Sequence, residues 1–380
     1  MLFVLILFII LLLYQLRFLR LFGKKNENQP ESAAQPPVTV ILYTSDCEET
    51  LPQTLEILLK QNYPNYEIIV VNNDRNNETE DLLKRIAAEH TNFYHTYIPH
   101  DVRYLSRKKL ALTLGIKAAH HPYLLFTEPD CSPVSENWIA SMMQAYRNDT
   151  DIVLGYCVYP FHNTLTQKLI AYANLTDGMS YLSSALSSSF YRGDGRNLSY
   201  RKTLFAKAQG FRNHLDLLAG EDDLFIYDTA QKGNIRICLT SDSFTRNLQP
   251  ISWKHWKQKE LQRSVSAHQF HGLRPFLLRI EPLFLALFLL SIFGGTALFF
   301  LTGDWLPIAA WGISYLLYYL GKTLLYHKAA RLLQSPFIGW NLPFFDIFLV
   351  SHFLVSAIRY PFLKKSHYIF RVSRKQNLKK

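Results

Sequence analysis

At 380 residues the chain is long enough for one large domain with additions. Its net charge of +11 suggests nucleic acid, yet no zinc-knuckle, RNA-binding or helix-turn-helix pattern accompanies the charge. Much of the excess lies beside apolar stretches, where basic residues meet anionic headgroups, so no nucleic-acid partner is expected. The four cysteines, Cys47, Cys131, Cys157 and Cys238, form no C-x-x-C pair and read as thiols of a reduced cytoplasmic domain.

Residues 2–16 hold only Tyr14 and Gln15 outside the aliphatic and Phe class. With Arg17 and Arg20 snorkelling, the stretch reaches about 20 residues, the length of a bilayer crossing. No basic region precedes it and no small-residue cleavage site follows. Residues 1–23 therefore read as an N-terminal transmembrane anchor rather than a signal peptide. Arg17, Arg20, Lys24 and Lys25 place the next part of the chain in the cytoplasm. Residues 24–37, polar and closed by Pro36-Pro37, form a linker.

A soluble domain is expected over 38–250. "VTVILYTSD" (38–46) and "YEIIVVNND" (66–74) are continuous β-branched runs stopped by polar clusters, the pattern of buried strands. Between them Leu51, Leu55, Leu58 and Leu59 repeat with helical spacing. "TEDLLKRIAAEH" and "KKLALTLGIKAAH" (108–120) are further helices, the first with acids in its opening turn, and "YLLFTEPD" is a third strand. Strand, helix, strand, helix, strand predicts an α/β fold with a mostly parallel sheet. No G-x-G-x-x-G and no P-loop follows the first strand, so a bound nucleotide is held by side chains and a metal.

Several stretches carry chemistry, each with a structural alternative. Glu128-Pro129-Asp130 after the third strand is either a solvated turn or a pair of carboxylates for a hard divalent cation. Lys108-Lys109 opens a helix, an unfavourable place for cations, so an anionic partner is expected there, with Lys109 as its contact; a solvated lysine pair is the alternative. "GDGRNLSYRK" (193–202) reads as a backbone-close turn beside substrate through Asn197, or as a plain hairpin. Glu221-Asp222-Asp223 sets three carboxylates in a row, where the two acidic neighbours raise the pKa of Asp222. The same triplet suits the first turn of a helix.

Residues 251–275, with Trp253, Trp256, Arg263 and His268, form an interfacial segment leading into a membrane domain over 276–360. Apolar stretches lie at 276–301, 305–326 and 337–358. Lys322 sits late in the second, and Asn341, Asp346 and His352 interrupt the third. The basic tail 361–380 belongs in the cytoplasm, so 337–358 is expected to be interfacial or re-entrant rather than a crossing.

From about residue 38 to 271 the pieces "VTVIL", "YEIIVVNND", "KKLALTLGIKAA", "YLLFTEPDC", "GDGRNLSYRKTLF", "QGF" and "AGEDDLF" stand in an order that resembles the family 2 glycosyltransferases of GT-A fold, membrane-anchored bacterial members in particular. The resemblance implies a Rossmann-like, mixed, mostly parallel sheet flanked by an N-terminal anchor and C-terminal transmembrane helices. It implies nucleobase and ribose contacts at Asp46, Asn73 and Asp74, a Mg²⁺ or Mn²⁺ on Asp130, and Glu128 toward the ribose and metal waters. Asp222 takes the place of the catalytic base, with Glu221 and Asp223 beside it at the substrate. Trp256 and Arg263 resemble a degenerate form of the tryptophan-rich and Q-x-x-R-W acceptor segments. The sequence departs from the family at Asp46-Cys47, where Asn-Glu is usual, which displaces that acidic contact to Glu48 or Glu49. It departs again at Asn72-Asn73, which replaces a more acidic pair, and at Glu128, one methylene longer than the usual Asp.

The function implied is inverting transfer of a sugar from a nucleotide-sugar donor to a lipid-linked or membrane-proximal glycan. It would occur at the cytoplasmic face of the inner (plasma) membrane, with membrane lipids as partners. A sugar nucleotidyltransferase would want a glycine-rich loop with Arg or Lys after the first strand, and "YTSDCEET" has neither. A non-catalytic membrane scaffold that kept the fold is the other alternative, and Asp130 and Asp222 argue against it.

Overall fold

The computed structural model describes residues 2–23, 35–45, 49–73, 77–98, 106–187, 190–336 and 339–359. In chain order, helices α1 (Leu2–Leu16) and α2 (Arg20–Gly23) precede β1 (Val38–Thr44), α3 (Leu51–Leu59), β2 (Tyr66–Asn72), α4 (Asn77–Glu89) and β3 (Phe93–Tyr97). Then come α5 (Arg107–Ala118), β4 (Tyr123–Phe126), β5 (Cys131–Pro133), α6 (Trp138–Gln144), β6 (Ile152–Leu154), β7 (Cys157–Val158) and α7 (Leu165–Leu186). The chain continues through β8 (Leu198–Arg201), α8 (Lys202–Lys207), α9 (Asp223–Thr229), β9 (Ile235–Ile237) and β10 (Thr245–Asn247). It closes with α10 (Trp253–His268), α11 (Leu273–Thr302), α12 (Leu306–Leu332) and α13 (Leu342–Arg359). These elements pack as two units. One gathers Met1–Glu27, Tyr159–Ser189 and Phe270–Pro361; the other holds Asn28–Val158 and Phe190–Gln269. The excursion through α7 interrupts the domain that the sequence suggests over 38–250.

The second unit is built on a seven-stranded sheet in the order β3-β2-β1-β4-β8-β6-β9. β1 pairs in parallel with both β2 and β4, and β2 with β3. β8 enters antiparallel between β4 and β6, so the sheet is mixed but mostly parallel, as expected. Alternation along β1 decides its faces. Val38, Val40 and Leu42 join a core with Leu51, Leu55 and Leu58 of α3 and Trp138, Ile139 and Met142 of α6. Ile41 faces α5, which packs closely because Gly115 has no side chain. A Cβ there would lie 2.9 Å from Ile41 Cγ2 and 3.3 Å from Val71 Cγ2.

This topology makes a ligand site. The strand order turns back at β1, whose neighbours β2 and β4 follow it in opposite directions across the sheet. A crevice opens at the carboxyl ends of strands at such a reversal. Helices that return between parallel strands start at those same ends, so the first turn of α5 faces the crevice. The loop before β8 lies at the end of β4, since the pair is antiparallel with Phe126 opposite Leu198. A second sheet, β5-β10-β7, sets Asn247 opposite Cys131. Leu248 N–H then donates to the Asp130 carbonyl at 2.9 Å, bringing the approach to α10 beside the acidic turn.

The other unit is dominated by apolar helices. Leu2–Gly23, Ile280–Thr302 and Gly339–Ile358 are each long and apolar enough to cross a membrane, with mean hydropathies of 2.6, 2.4 and 1.6. The apolar stretch 305–326, in α12, is not among the three, whereas Gly339–Ile358, expected from the placement of the basic tail to be interfacial or re-entrant, meets the same length and composition. One of the polar breaks in that stretch is neutralised within the unit. Lys322 Nζ donates to both oxygens of Asp346 at 2.7 and 2.6 Å, and both side chains are 4 % exposed. The Tyr172 hydroxyl of α7 also donates to Asp346. The rings of Tyr172, Tyr318 and Tyr326 surround the ammonium at 5.2–5.8 Å. Near the end of α1, Arg17 pairs with Glu281 of α11 at 2.6 Å.

An isolated charge among apolar helices is expensive, whereas a hydrogen-bonded pair is tolerated. Asp346→Ala, which strands the Lys322 ammonium, should lower stability by about 3–5 kcal/mol. The double change Lys322→Met with Asp346→Leu should recover most of that loss. Thermal unfolding in detergent compares them, and a single variant that melts like the parent would contradict the pairing.

Candidate active site

A cavity of about 230 Å³ sits at the carboxyl ends of β1 and β4. Tyr43 and Ser45 line it from the end of β1, Phe126 to Asp130 from β4, and Lys108 from α5. Gly195, Glu221 and Asp222 enter from the β8 side, and His255 and Lys259 from α10.

The acidic turn after β4 is braced and half-buried rather than solvated. Thr127 Oγ1 donates to the Cys131 carbonyl at 2.7 Å and to the Arg196 carbonyl at 3.1 Å. Thr54 Oγ1 donates to the Pro129 carbonyl at 2.8 Å. The Glu128 carboxylate is committed to two lysines, Lys108 Nζ at 2.7 Å and Lys259 Nζ at 3.7 Å. Burial pushes its pKa up, but these ammonium groups and Arg196 outweigh it and bring it down to about 2. Asp130 pairs with no lysine or arginine among the described residues. Its Oδ1 accepts from the Cys131 thiol at 3.2 Å. Ligand atoms of Glu128, Asp130 and Cys131 lie within 4.8 Å of one another.

Glu221-Asp222-Asp223 resolves into three different environments. Asp222 caps α9, with Oδ1 accepting from Asp223 N–H at 2.8 Å, and Oδ2 accepts from Gly195 N–H at 2.9 Å. Gly195 permits that approach, since a Cβ there would stand 3.3 Å from Oδ2. Cap and cavity-lining acid, read as alternatives in the sequence, are one residue. Burial is the main cause that raises the Asp222 pKa, and Glu221 adds to it; Lys108 and the Gly195 N–H oppose both. Asp223 is turned to Arg192, at 3.2 Å, and lies outside the cavity lining. Glu221 Oε1 takes Lys108 Nζ at 3.0 Å, while its buried Oε2 has no hydrogen-bond partner among the described residues.

Lys108 thus bridges the two acidic motifs. Glu128, Glu221 and Asp222 hold its pKa well above the usual lysine range despite the burial that opposes them. Lys109, the residue singled out in the sequence, points elsewhere because adjacent residues diverge by about 100° around a helix. Fully buried, its ammonium donates to the carbonyls of His214 and Leu217 at 2.5 and 2.8 Å, and burial pulls its pKa down to about 8.

The remaining expected residues divide similarly. Asn73 lies next to the lining, donating to the Tyr43 hydroxyl at 3.1 Å and accepting from Arg107 at 2.7 Å. Asp46 and Asp74 lie outside the described residues. Asn197 is 1 % exposed and spends its amide on the Tyr156 and Ser243 carbonyls and on the Trp138 indole N–H, a cross-link away from the cavity. Beside it, Asp194 and Arg196 form a buried fork-to-carboxylate pair at 2.6 Å. On α10, Trp256 is buried and stacks on Trp253, while Arg263 pairs with Glu260 at 2.6 Å. His255 and Lys259 of that helix reach the cavity instead. Their i,i+4 spacing is the signal that places both on one face. Burial and the neighbouring Lys259 lower the His255 pKa.

Residues 38–206 match the model of glycosyl transferase family 2. No curated protein matches the chain by sequence. Among solved structures, the mannosyltransferase PcManGT from Pyrobaculum calidifontis, determined with GDP-Man and Mn²⁺, aligns over 94% of this chain and 97% of its own with a TM-score of 0.59 and 18% identity. S. aureus TarS 1-349 aligns over 86% of this chain and 91% of its own at a TM-score of 0.41 and 14% identity. The mixed, mostly parallel sheet is that of a GT-A fold, and within it residues 38–206 match the glycosyl transferase family 2 model.

Proposed function

We propose that this chain is a family 2 glycosyltransferase that moves a sugar from a nucleoside-diphosphate sugar onto a hydroxyl of a lipid-linked or membrane-proximal glycan, with inversion at the anomeric carbon. The observation that carries this reading is the convergence of the Glu128–Asp130 turn and Asp222 on one cavity, bridged by Lys108. Asp222 is the base. Its carboxylate takes the acceptor proton as the hydroxyl oxygen bonds to the anomeric carbon and the sugar–diphosphate bond breaks, the electron pair leaving on the diphosphate. Direct displacement of that kind inverts configuration. Glu221 Oε2 beside it, without a hydrogen-bond partner among the described residues, is an acceptor for a substrate hydroxyl. Lys108 and Lys259 set positive charge near the leaving group, and general-base help from a carboxylate such as Asp222 contributes about 10²–10⁴ in rate.

The oxygen donors of the turn fit a hard cation, Mg²⁺ or Mn²⁺, with Asp130 as the residue to hold it, because Glu128 is already engaged by lysines. When bound, such an ion neutralises the departing diphosphate. The similar mannosyltransferase was solved with a nucleotide sugar and Mn²⁺, which agrees with this donor and cation. The crossing-competent helices and the cluster of Arg17 and Arg20 support a multi-pass protein of the inner membrane with its catalytic domain in the cytoplasm, serving cell-envelope polysaccharide synthesis.

Three measurements test the reading. Asp222→Asn keeps a carbonyl for one of the two backbone N–H groups and loses the other, a stability cost of about 0.5–1.5 kcal/mol. It removes the proton acceptor, so the single-turnover rate should fall by about 10²-fold or more while donor affinity is kept. Parent-like turnover would remove Asp222 from catalysis. Second, the base must be ionised, so the rate falls as pH drops through its raised pKa. Glu221→Gln removes a charge that raises that pKa and should move the acidic limb of the pH–rate profile to lower pH; an upward or absent shift would argue against this assignment. Third, Asp130→Ala should abolish the dependence of nucleoside-diphosphate binding on Mn²⁺ in calorimetry. An unchanged metal dependence would return the acidic turn to a purely structural role.

A further inference from the structure

A second cavity, of about 330 Å³, lies in the same unit and shares no lining residue with the first. Its size is at the lower end of ordinary ligand pockets. The buried rings of Phe211 and Phe225 supply an apolar wall. Polar groups converge opposite. The Asp228 carboxylate accepts on Oδ2 from His214 Nε2 at 2.8 Å and from Asn213 Nδ2 at 3.1 Å. Its Oδ1 has no partner among the described residues. Asp151, braced by Asn234 at 3.3 Å and paired with Arg201 at 3.6 Å, adds a second carboxylate, Lys207 adds an ammonium, and Gln231 adds an exposed amide.

We infer that this cavity is a binding site for a neutral saccharide unit, separate from the donor cavity. Lys207 in the lining and Arg201 on Asp151 offset the two carboxylates, so the cavity favours neither an anion nor a cation. Carboxylate and amide groups pair well with the hydroxyls of a sugar, which both donate and accept. The choice of a saccharide rests on the glycan-transfer reading above, whereas the cavity and its polar groups do not.

The site is joined to the catalytic one by the chain itself. Helix α9 begins at its cap Asp222 in the first cavity and carries Asp228 in the second, about 9 Å further along its axis. The carbonyl of His214, whose ring reaches the second cavity, accepts from Lys109, the neighbour of Lys108. A sugar held at Asn213, His214 and Asp228 therefore steadies both the base and the bridging lysine. Glycan already attached to the acceptor is the natural occupant.

Saturation-transfer NMR on the full chain in nanodiscs tests the site without requiring turnover. Diamagnetic Mg²⁺ and a saturating nucleoside diphosphate occupy the donor cavity, and sugar-headed detergents are avoided. The probe is an equimolar mixture of glucose, galactose, mannose, N-acetylglucosamine and rhamnose. At least one sugar should receive transfer, and Asp228→Asn should weaken its affinity by about tenfold, the effect of losing roughly one charge-assisted hydrogen bond. Nucleoside-diphosphate affinity should not change. If Asp228→Asn proves unstable, Gln231→Cys blocked with a bulky maleimide closes the mouth from an exposed position, against parent protein treated identically. Absence of transfer to all the sugars, or transfer that survives both variants, would overturn the site. Loss of transfer with an intact Asp222-dependent rate supports it, whereas failure of the Asp222 test alone leaves this binding result standing.

Discussion

The ammonium of Lys108 is the contact on which the cavity at the strand ends turns. Glu128, Asp130, Glu221 and Asp222 line a space of about 230 Å³, and carboxylates so close together repel unless cations stand among them. Lys108 reaches Glu128 at 2.7 Å and Glu221 at 3.0 Å, tying the turn after β4 to the segment before α9. Lys259 shares Glu128 from the α10 side. The outcome is an asymmetric set of acids. Glu128 is held ionised by lysines, while Asp222, buried and beside Glu221, binds its proton more tightly than an ordinary aspartate. Two carboxylates pushed in opposite directions are what a separation of roles between charge and base requires.

Lys108 is there because of backbone geometry. The sheet order reverses at β1, which opens the crevice at the carboxyl ends of β1 and β4. Close packing at Gly115 fixes α5 against Ile41 and Val71, so its first turn meets the crevice. Ser106 caps that helix and also donates to the Leu218 carbonyl, linking its start to the segment that leads into Glu221. The neighbouring Lys109 pins the same segment through two carbonyls. One lysine supplies charge to the site and the next supplies the brace.

The apolar unit follows the same electrostatic logic in a different solvent. Lys322 and Asp346 would each be costly alone, and together with the Tyr172 hydroxyl they form a satisfied cluster. Arg17 and Glu281 do likewise at the end of α1. Polar residues in an apolar stretch can therefore mark a contact between helices as readily as a break in a membrane crossing.

Much was legible in the chain itself. The β-branched runs of β1, β2 and β4 alternate with helices of clear period, so an α/β fold with a mostly parallel sheet was readable from local pattern. The acidic stretches 128–130 and 221–223 were recognisable because one follows a strand and the other opens a helix, and each carries the residue types that cation binding and proton transfer need. The short strands β6, β7, β9 and β10 were not legible, since two or three residues carry no period and form only against a partner already in place. The same limit applied to side-chain direction. Sequence alone marks Lys108-Lys109, "GDGRNL" and the tryptophan-rich helix as places of interest. Only the tertiary structure decides that Lys108 rather than Lys109 reaches the cavity, that Asn197 is spent on backbone carbonyls, and that His255 and Lys259 face the acids while Trp256 and Arg263 do not. The reason is rotational: a helix turns about 100° per residue, so which neighbour faces a site depends on how the helix is seated against the sheet, and that seating is set by contacts distant in the chain.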